Sequence, residues 1–491
     1  MDATGLWWKN LTERTFFLDQ HGCAKNQVDG ELLISRLESI GLAQTTDPSE
    51  AQYIIINSCG FIESAKQESL DALLSARGAY PEAKLVLAGC LAQRYADVFK
   101  TELPEADAVF GNGDITRIDQ VIEALGNGER PVVTPPQQGV CSGGRKLLSC
   151  AGSAYVKITE GCNNCCSFCA IPLIRGQLRS RSVHDVVSEV RELVSSGVRE
   201  INIIGQDLAA YGCGKNDDVL GTRQNGYSRL YTELTAPLFT NETLFFEPPS
   251  FLHELLKAIS AVHGDFWVRL LYIHPDHFHP DVLSVLKDDG RFLPYFDIPF
   301  QSGADSVITA MNRKGSFKSY VDLVQHIRSV FPHAAIRTTF LTGFPGETDA
   351  DAAETEKFLK AIQSDWSGCF PYSKEEGTAA FRMKGSVPKK VAAARAFALQ
   401  SVQQDITRNR LAERVGSVYD VLIEEIVAGG SSDEGLAIGR AWFDAPEVDG
   451  NFVVRYDRDD PAACAIVPGA IVKAKAIASS DVDIDGVFCA K

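Results

Sequence analysis

Cys162, Cys166 and Cys169 form a C-x3-C-x2-C run within Gly161-Cys162-Asn163-Asn164-Cys165-Cys166-Ser167-Phe168-Cys169, just after the apolar segment Ala154-Tyr155-Val156-Lys157-Ile158. Three thiolates from one loop can hold three irons of a cubane 4Fe-4S cluster, and no fourth cysteine stands at a matching spacing. One iron is then left open to bind a substrate or cofactor directly. Zinc is the structural alternative, but it wants a fourth Cys or His at a fixed spacing, which this loop lacks. Cys165 sits inside the run and could compete with Cys166.

An open iron can chelate the amino and carboxylate groups of S-adenosylmethionine and hold its sulfonium against a reducing cluster. Electron transfer then cleaves a carbon–sulfur bond; the cofactor carries the hard chemistry while the protein orients and shields it. Phe168, directly before Cys169, offers an aromatic face for the adenine.

A second set of thiols, Cys23, Cys59 and Cys90, becomes visible once the N-terminal elements are laid out. From residue 15 to about 125 the chain alternates apolar strands (15–19, 53–56, 84–87) with amphipathic helices (28–40, 62–76 and a further stretch), the pattern of a parallel sheet flanked by helices. Each of the three cysteines follows one of these strands, at the edge where open α/β sheets place their ligands. Any one alone reads as a small buried hydrophobe. Three at equivalent strand ends point to a second three-cysteine cluster site.

Residues 126–149 have a linker composition, with Pro131, Pro135, Pro136 and scattered glycines. Beyond the cluster loop, Ser182 and Asp185 resemble a capping box ahead of a helix. Strands are expected to end at Ile204, Ile273, Ile298 and Leu341, a succession suggesting a complete or partial (β/α) barrel with its chemistry at the strand C-termini. Gln206, Asp207, Gln301 and Glu347 follow those strands and are candidate cofactor contacts. Gly343, in Gly343-Phe344-Pro345-Gly346-Glu347, is a candidate wall of the nucleoside pocket. His274, His277 and His279 follow a strand without helical or strand ligand geometry, so a structural role is expected. Residues 213–249 are irregular and read as an inserted surface excursion. After a helix over 389–414, short strands over 418–423, 435–443, 451–456 and 470–477 suggest a small all-β barrel.

The chain has 491 residues, 45% hydrophobic and 23% charged, enough for two to four domains. No apolar run approaches membrane-spanning length, and residues 1–10 lack a basic stretch followed by an apolar core, so neither a membrane anchor nor an export signal is expected. Thirteen cysteines, an odd number set in apolar runs, argue against a disulfide framework and for a reducing cytoplasm. A formal charge of −16 disfavours broad contact with a phosphate backbone. In the terminal segment, acidic residues such as Asp420, Asp444, Glu447, Asp449 and Asp481 outnumber basic ones such as Arg440 and Lys473, which suits a basic protein partner better than RNA.

Cys162-x3-Cys166-x2-Cys169 followed by Ala170-Ile171-Pro172-x2-Arg175-Gly176, with the N-terminal cysteines and the terminal barrel, resembles the methylthiotransferases of the radical SAM superfamily. Gly22-Cys23-Ala24-Lys25-Asn26-x2-Asp29 is similar to the ribosomal-protein branch (RimO) rather than the tRNA branch (MiaB), which has Gln-Met in place of Ala24-Lys25. Ile204-Gly205-Gln206-Asp207 through Tyr211-Gly212, and Asp444-Ala445-Pro446-Glu447-Val448-Asp449-Gly450 in a TRAM-like barrel, point the same way. The resemblance implies an N-terminal methylthiotransferase domain (14–125), a linker (126–149), a radical SAM core (150–410) and a TRAM domain (412–485). It also implies two 4Fe-4S clusters, on Cys162, Cys166 and Cys169 and on Cys23, Cys59 and Cys90, with S-adenosylmethionine as methyl donor and radical source. The implied reaction is methylthiolation of the β-carbon of an aspartate on the twelfth small-subunit ribosomal protein, with a reductant of the flavodoxin or ferredoxin kind.

Gln301-Ser302-Gly303 resembles the tRNA branch, Gly30 stands where serine is usual, and the 213–249 insertion is additional. The same-chemistry alternative, tRNA adenosine methylthiolation, needs a basic groove that the terminal segment does not supply. A non-enzymatic iron–sulfur electron carrier or sensor is the alternative of a different class. It predicts no S-adenosylmethionine pocket and leaves the barrel's size unexplained.

Overall fold

The computed structural model describes residues 14–221, 250–427 and 434–490. Six parallel strands build the N-terminal sheet: β1 (Arg14–Gln20), β2 (Leu42–Gln44), β3 (Tyr53–Ser58), β4 (Lys84–Gly89), β5 (Ala108–Gly111) and β6 (Val132–Val133). Their order is β2-β1-β3-β4-β5-β6. β3, Tyr-Ile-Ile-Ile-Asn-Ser, is buried at every position, as a central parallel strand covered on both faces must be. β2, β5 and β6 are too short to show a periodicity in the sequence. β6 lies within the segment read as a linker, and that segment is further tied down by Arg145, which pairs with Glu31 and Glu189.

The central region holds β7 (Ser153–Lys157), a small antiparallel pair β8 (Thr159–Glu160) and β9 (Arg179–Ser180), then β10 (Glu200–Ile204), β11 (Trp267–Leu270), β12 (Phe292–Asp297), β13 (Ala335–Thr342) and β14 (Trp366–Pro371). Six of these form a parallel sheet in the order β14-β13-β12-β11-β10-β7, so the expected barrel is a partial one with β7 and β14 at its edges. The expected strand end at Ile273 is displaced. Extended backbone stops at Leu270, and Tyr272 adopts a φ of +70°, a left-handed conformation unfavourable for a bulky side chain. Ser182 does accept the Asp185 N–H at 3.1 Å, but the Asp185 carboxylate turns to Arg181 instead of completing a reciprocal cap.

The terminal strands β15 (Val418–Val427), β16 (Glu434–Arg440), β17 (Phe452–Asp457), β18 (Ile471–Ser479) and β19 (Ile484–Phe488) close into a five-stranded barrel. One apolar core fills the central region. Another runs from Phe16 and Ile55 of the first sheet through Tyr155, Ile204 and Tyr295 to Val421 and Phe452, so all three parts share buried surface.

A polar seam fastens the terminal barrel to the central sheet. Glu200 is fully buried and accepts from Arg269 of β11 at 2.9 Å and from Arg440 of β16 at 2.6 Å. Asp449 accepts the Tyr295 hydroxyl at 2.6 Å and pairs with Arg337. This corrects the reading of charge in the terminal segment: Asp444, Asp449 and Arg440 are internal, so they contribute nothing to an outer surface. Asp481 and Asp420 are exposed but paired with Arg408 and Lys473. Most of the 213–249 insertion, residues 222–249, and the N-terminal residues 1–13 lie outside the described residues.

Candidate active site

The N-terminal thiols lie at the carboxyl edge of the first sheet. Cys23 is the N-cap of the helix Ala24–Ser39, Cys59 directly follows β3, and Cys90 opens the helix Cys90–Glu102 straight from β4. Gly89 makes the last of these turns possible: its φ is +90°, and a Cβ there would lie 2.7 Å from the Ser58 carbonyl oxygen. Asn26 knits the group together, donating to the carbonyls of His21 (2.8 Å) and Asn57 (3.1 Å). Asn112 donates to the Cys90 sulfur at 3.3 Å.

The second thiol group sits on the loop between β8 and the helix Ile171–Arg175. Gly161, at φ +72°, starts that loop where a Cβ would collide with the Gln177 carbonyl at 2.3 Å. The Cys169 N–H closes a turn onto the Cys166 carbonyl at 3.0 Å, and Cys165 is exposed. Phe168 packs beside Met311, Phe344 and Ala380, with the Arg313 guanidinium 6.0 Å from its ring centroid.

Asp207 is the polar centre beside this loop. Its carboxylate accepts from Asn164 Nδ2 (2.8 Å) and His277 Nδ1 (2.9 Å) on one oxygen, and from the backbone of Ala209 (3.0 Å) and His274 (3.2 Å) on the other. Burial opposes the charge, but the hydrogen bond and charge of His277, with His274 and Asn164, hold the carboxyl well below its usual range. Donor atoms of Asp207, His274 and His277 lie within 4.8 Å of one another, yet both Asp207 oxygens are already engaged. The trio is therefore a brace, and His274 Nε2 reaches 3.7 Å from Cys166 Sγ.

Between the two thiol groups lies a buried ionic network. Arg175 donates to Glu160 (2.7 Å), to Asp29 (2.9 Å) and, with Nη2, to Cys90 Sγ (3.1 Å). Lys157 of β7 pairs with the same Glu160 at 2.6 Å and with Asp29. Full burial of two cations is tolerable because two carboxylates answer them.

The thiols feel these surroundings. Burial pushes Cys90 and Cys169 up to about 12 and also raises Cys162, Cys166 and Cys59. Neighbouring thiolates raise one another within each group. Burial works against the Cys23 thiolate as well, but Lys25 and Arg175 outweigh it and hold this thiol below its usual range. Grouped thiolates need a cationic partner; Cys90 is buried, Cys59, Cys162, Cys166 and Cys169 are half-buried and Cys23 is exposed, and this soft donor set is compatible with an iron–sulfur cluster in both places.

Of the other expected contacts, the Gln206 side-chain oxygen is buried without a hydrogen-bond partner among the described residues, which fits a ligand donor. Gln301 is buried with a φ of +71°, strain of a kind that gathers at ligand sites. Gly343 and Glu347 are oriented differently. A Cβ on Gly343 would meet Ala392 at 2.3 Å, and Glu347 accepts from Arg395 at 2.9 Å, both on the helix Lys389–Ala412. Phe344, in the same turn, packs in the cluster that Phe168 joins.

Arg175, Asp29, Lys157, Glu160 and Arg313 had no role assigned from sequence. Lys157 carried a signal, because a lysine inside a fully buried strand requires buried partners.

A partial parallel barrel with a three-cysteine loop after its first strand defines a protein of the radical SAM class. The Radical SAM superfamily model matches residues 156–359, Uncharacterized protein family UPF0004 matches 15–111, and the TRAM domain matches 415–488. Ribosomal protein uS12 methylthiotransferase RimO of Treponema denticola is 48% identical over 96% of this chain and all of its own length. The Aquifex aeolicus protein of the same name is 36% identical over 95% of each chain. The chain belongs to the RimO methylthiotransferase family, and its cofactors are S-adenosylmethionine and 4Fe-4S clusters. The fold is shared with the radical S-adenosylmethionine methyltransferase TsrM from Kitasatospora setae, with a TM-score of 0.51, 12% identity, and coverage of 75% of this chain and 77% of that one.

Proposed function

We propose that this enzyme methylthiolates the β-carbon of an aspartate on ribosomal protein uS12, with Cys162, Cys166 and Cys169 holding one cluster and Cys23, Cys59 and Cys90 the other. The observation that carries the reading is the hydrogen bond to Cys90 Sγ from Arg175, on the helix that follows the Cys162–Cys169 loop, in a chain of which RimO matches 96%. When bound, the clusters and S-adenosylmethionine supply the radical and the methylated sulfur. The chain's own residues do the rest. Gln206 and Gln301 offer amides to S-adenosylmethionine, Phe168 offers a stacking face, and the turn from Gly343 to Glu347 holds Phe344 in the apolar cluster on which Phe168 rests. Asp207 fixes the loop through Asn164 and the His277 ring through Nδ1. Lys157 and Arg175 set the spacing between the thiol groups.

No helix among the described residues is long and apolar enough to cross a membrane. The thirteen cysteines are free thiols, in keeping with a cytoplasmic setting; the proposed reductant is of the flavodoxin or ferredoxin kind. Exposed acids that remain on the terminal barrel, among them Glu425, Glu447 and Asp457, favour a basic protein over a phosphate backbone.

The test is to incubate reconstituted protein with S-adenosylmethionine and dithionite, then with uS12 and with tRNA. Formation of 5′-deoxyadenosine and a methylthio mark on uS12 are expected. No 5′-deoxyadenosine would remove the radical-enzyme reading, and a mark only on tRNA would reverse the branch assignment.

A further inference from the structure

Lys25 is a buried ammonium without a carboxylate partner. It lies two positions after Cys23 in the first turn of the helix Ala24–Ser39 and is 7% exposed. Its Nζ sits 2.9 Å from the centroid of the Tyr272 ring, and among the described residues it makes no ion pair. A cation at a helix start is disfavoured twice, by burial and by the positive end of the helix dipole. The charged groups around it are Cys23, Asp297, Glu160 and Arg175. The Cys23 thiolate is the opposite charge that acts on it most, and the two carboxylates are engaged elsewhere: Glu160 with Lys157 and Arg175, and Asp297 with the Tyr272 N–H at 3.2 Å and Arg337 at 3.9 Å.

Position makes this residue informative. By sequence Lys25 belongs to the Cys23 group, but its contact, Tyr272, belongs to the mouth of the partial barrel. Tyr272 lies just past β11, in its left-handed conformation, two residues before His274 and the contact with Cys166. Lys25 thus connects the helix that begins at Cys23 with the segment that carries His274 to Cys166.

We propose that Lys25 binds the side-chain carboxylate of the aspartate to be modified, an assignment that rests on the function proposed above. The reacting β-carbon is bonded directly to that carboxylate carbon, so a cation that holds the carboxylate positions the β C–H bond. The pairing also removes the cost of burying each charge alone. Asparagine has the same shape without the charge, and the site rejects it for that reason.

The experiment compares a uS12 loop peptide carrying the aspartate with the same peptide carrying asparagine, on reconstituted wild type, Lys25→Met and Lys25→Arg. Dissociation constants and methylthio product are measured for both peptides on one preparation, so cluster loading cancels in the ratio. Wild type is expected to prefer aspartate about tenfold or more in binding and in turnover. Lys25→Met should bring the ratio to within about twofold of one, and Lys25→Arg should restore part of it. An undiminished preference in Lys25→Met, or none in wild type, overturns the assignment. If Lys25→Met does not fold, the wild-type and Lys25→Arg ratios still decide. Wild type that leaves the aspartate peptide unmodified under conditions giving 5′-deoxyadenosine overturns the functional reading itself, and this assignment with it.

Discussion

Arg175 Nη2 lies 3.1 Å from Cys90 Sγ, so the helix that follows one cysteine loop donates directly to a thiol of the other group. The same guanidinium holds Asp29 and Glu160, which makes the separation of the two thiol groups a property of one buried side chain.

Arg175→Gln is expected to lower iron and sulfide content from the equivalent of two clusters toward one, because Cys90 loses the cation that opposes its burial. Stability should fall by about 3–5 kcal/mol, since Lys157 alone remains to answer two buried carboxylates. Metal analysis alongside denaturant unfolding checks both; full loading of the N-terminal group in the variant would show that Arg175 is dispensable there.

Substitutions in the two cysteine groups should separate two losses. Cys162→Ala is expected to abolish 5′-deoxyadenosine formation outright. Cys59→Ala is expected to abolish methylthio product while 5′-deoxyadenosine is still detected. Chromatography of the nucleoside and mass spectrometry of uS12 distinguish them, and identical defects would contradict separate roles.

Gln206→Ala removes a buried acceptor that has no partner among the described residues. S-adenosylmethionine binding, followed by equilibrium dialysis, should weaken by about three- to tenfold, the worth of one hydrogen bond. Unchanged affinity would take Gln206 out of the site.

Glu200→Gln should loosen the terminal barrel from the central sheet, because Arg269 and Arg440 keep their buried charge but lose the shared carboxylate. A loss of about 3–5 kcal/mol is expected, with faster hydrogen exchange in β16 and β11.

Acid should act on the same seam. Burial opposes the Glu200 carboxylate, but Arg440 and Arg269 prevail and depress it far below the ordinary range. A depressed carboxyl contributes stability that is complete above its unfolded value, about 4.3, and is lost as pH falls toward the folded value. Attachment of the terminal barrel is therefore expected to be constant from neutral pH to about 5 and to weaken progressively below about 4. Proteolysis between the helix Lys389–Ala412 and β15, followed against pH, tests this, and release at pH 6 would contradict it.

Local sequence carried much of this protein. Spacing alone picked out Cys162, Cys166 and Cys169, because a loop must present three thiolates from consecutive turns. Strand runs such as 53–56 located the sheet edge on which Cys23, Cys59 and Cys90 fall, since a parallel strand buried on both faces is largely apolar. Short strands stayed hidden: β6 and β19 depend on pairing with β5, β17 and β18, not on their own pattern. Charge was misjudged where it turned inward. Asp449 and Arg440 look like surface residues until the fold supplies Tyr295 and Glu200 as their partners from far away in the chain, and Asp444 is buried beside them with hydrogen bonds to its own turn. The bridge from Arg175 to Cys90 and the contact of Lys25 with the Tyr272 ring belong wholly to tertiary structure. Their partners are separated by 85 and 247 positions, and nothing local specifies which distant groups share a low-dielectric interior.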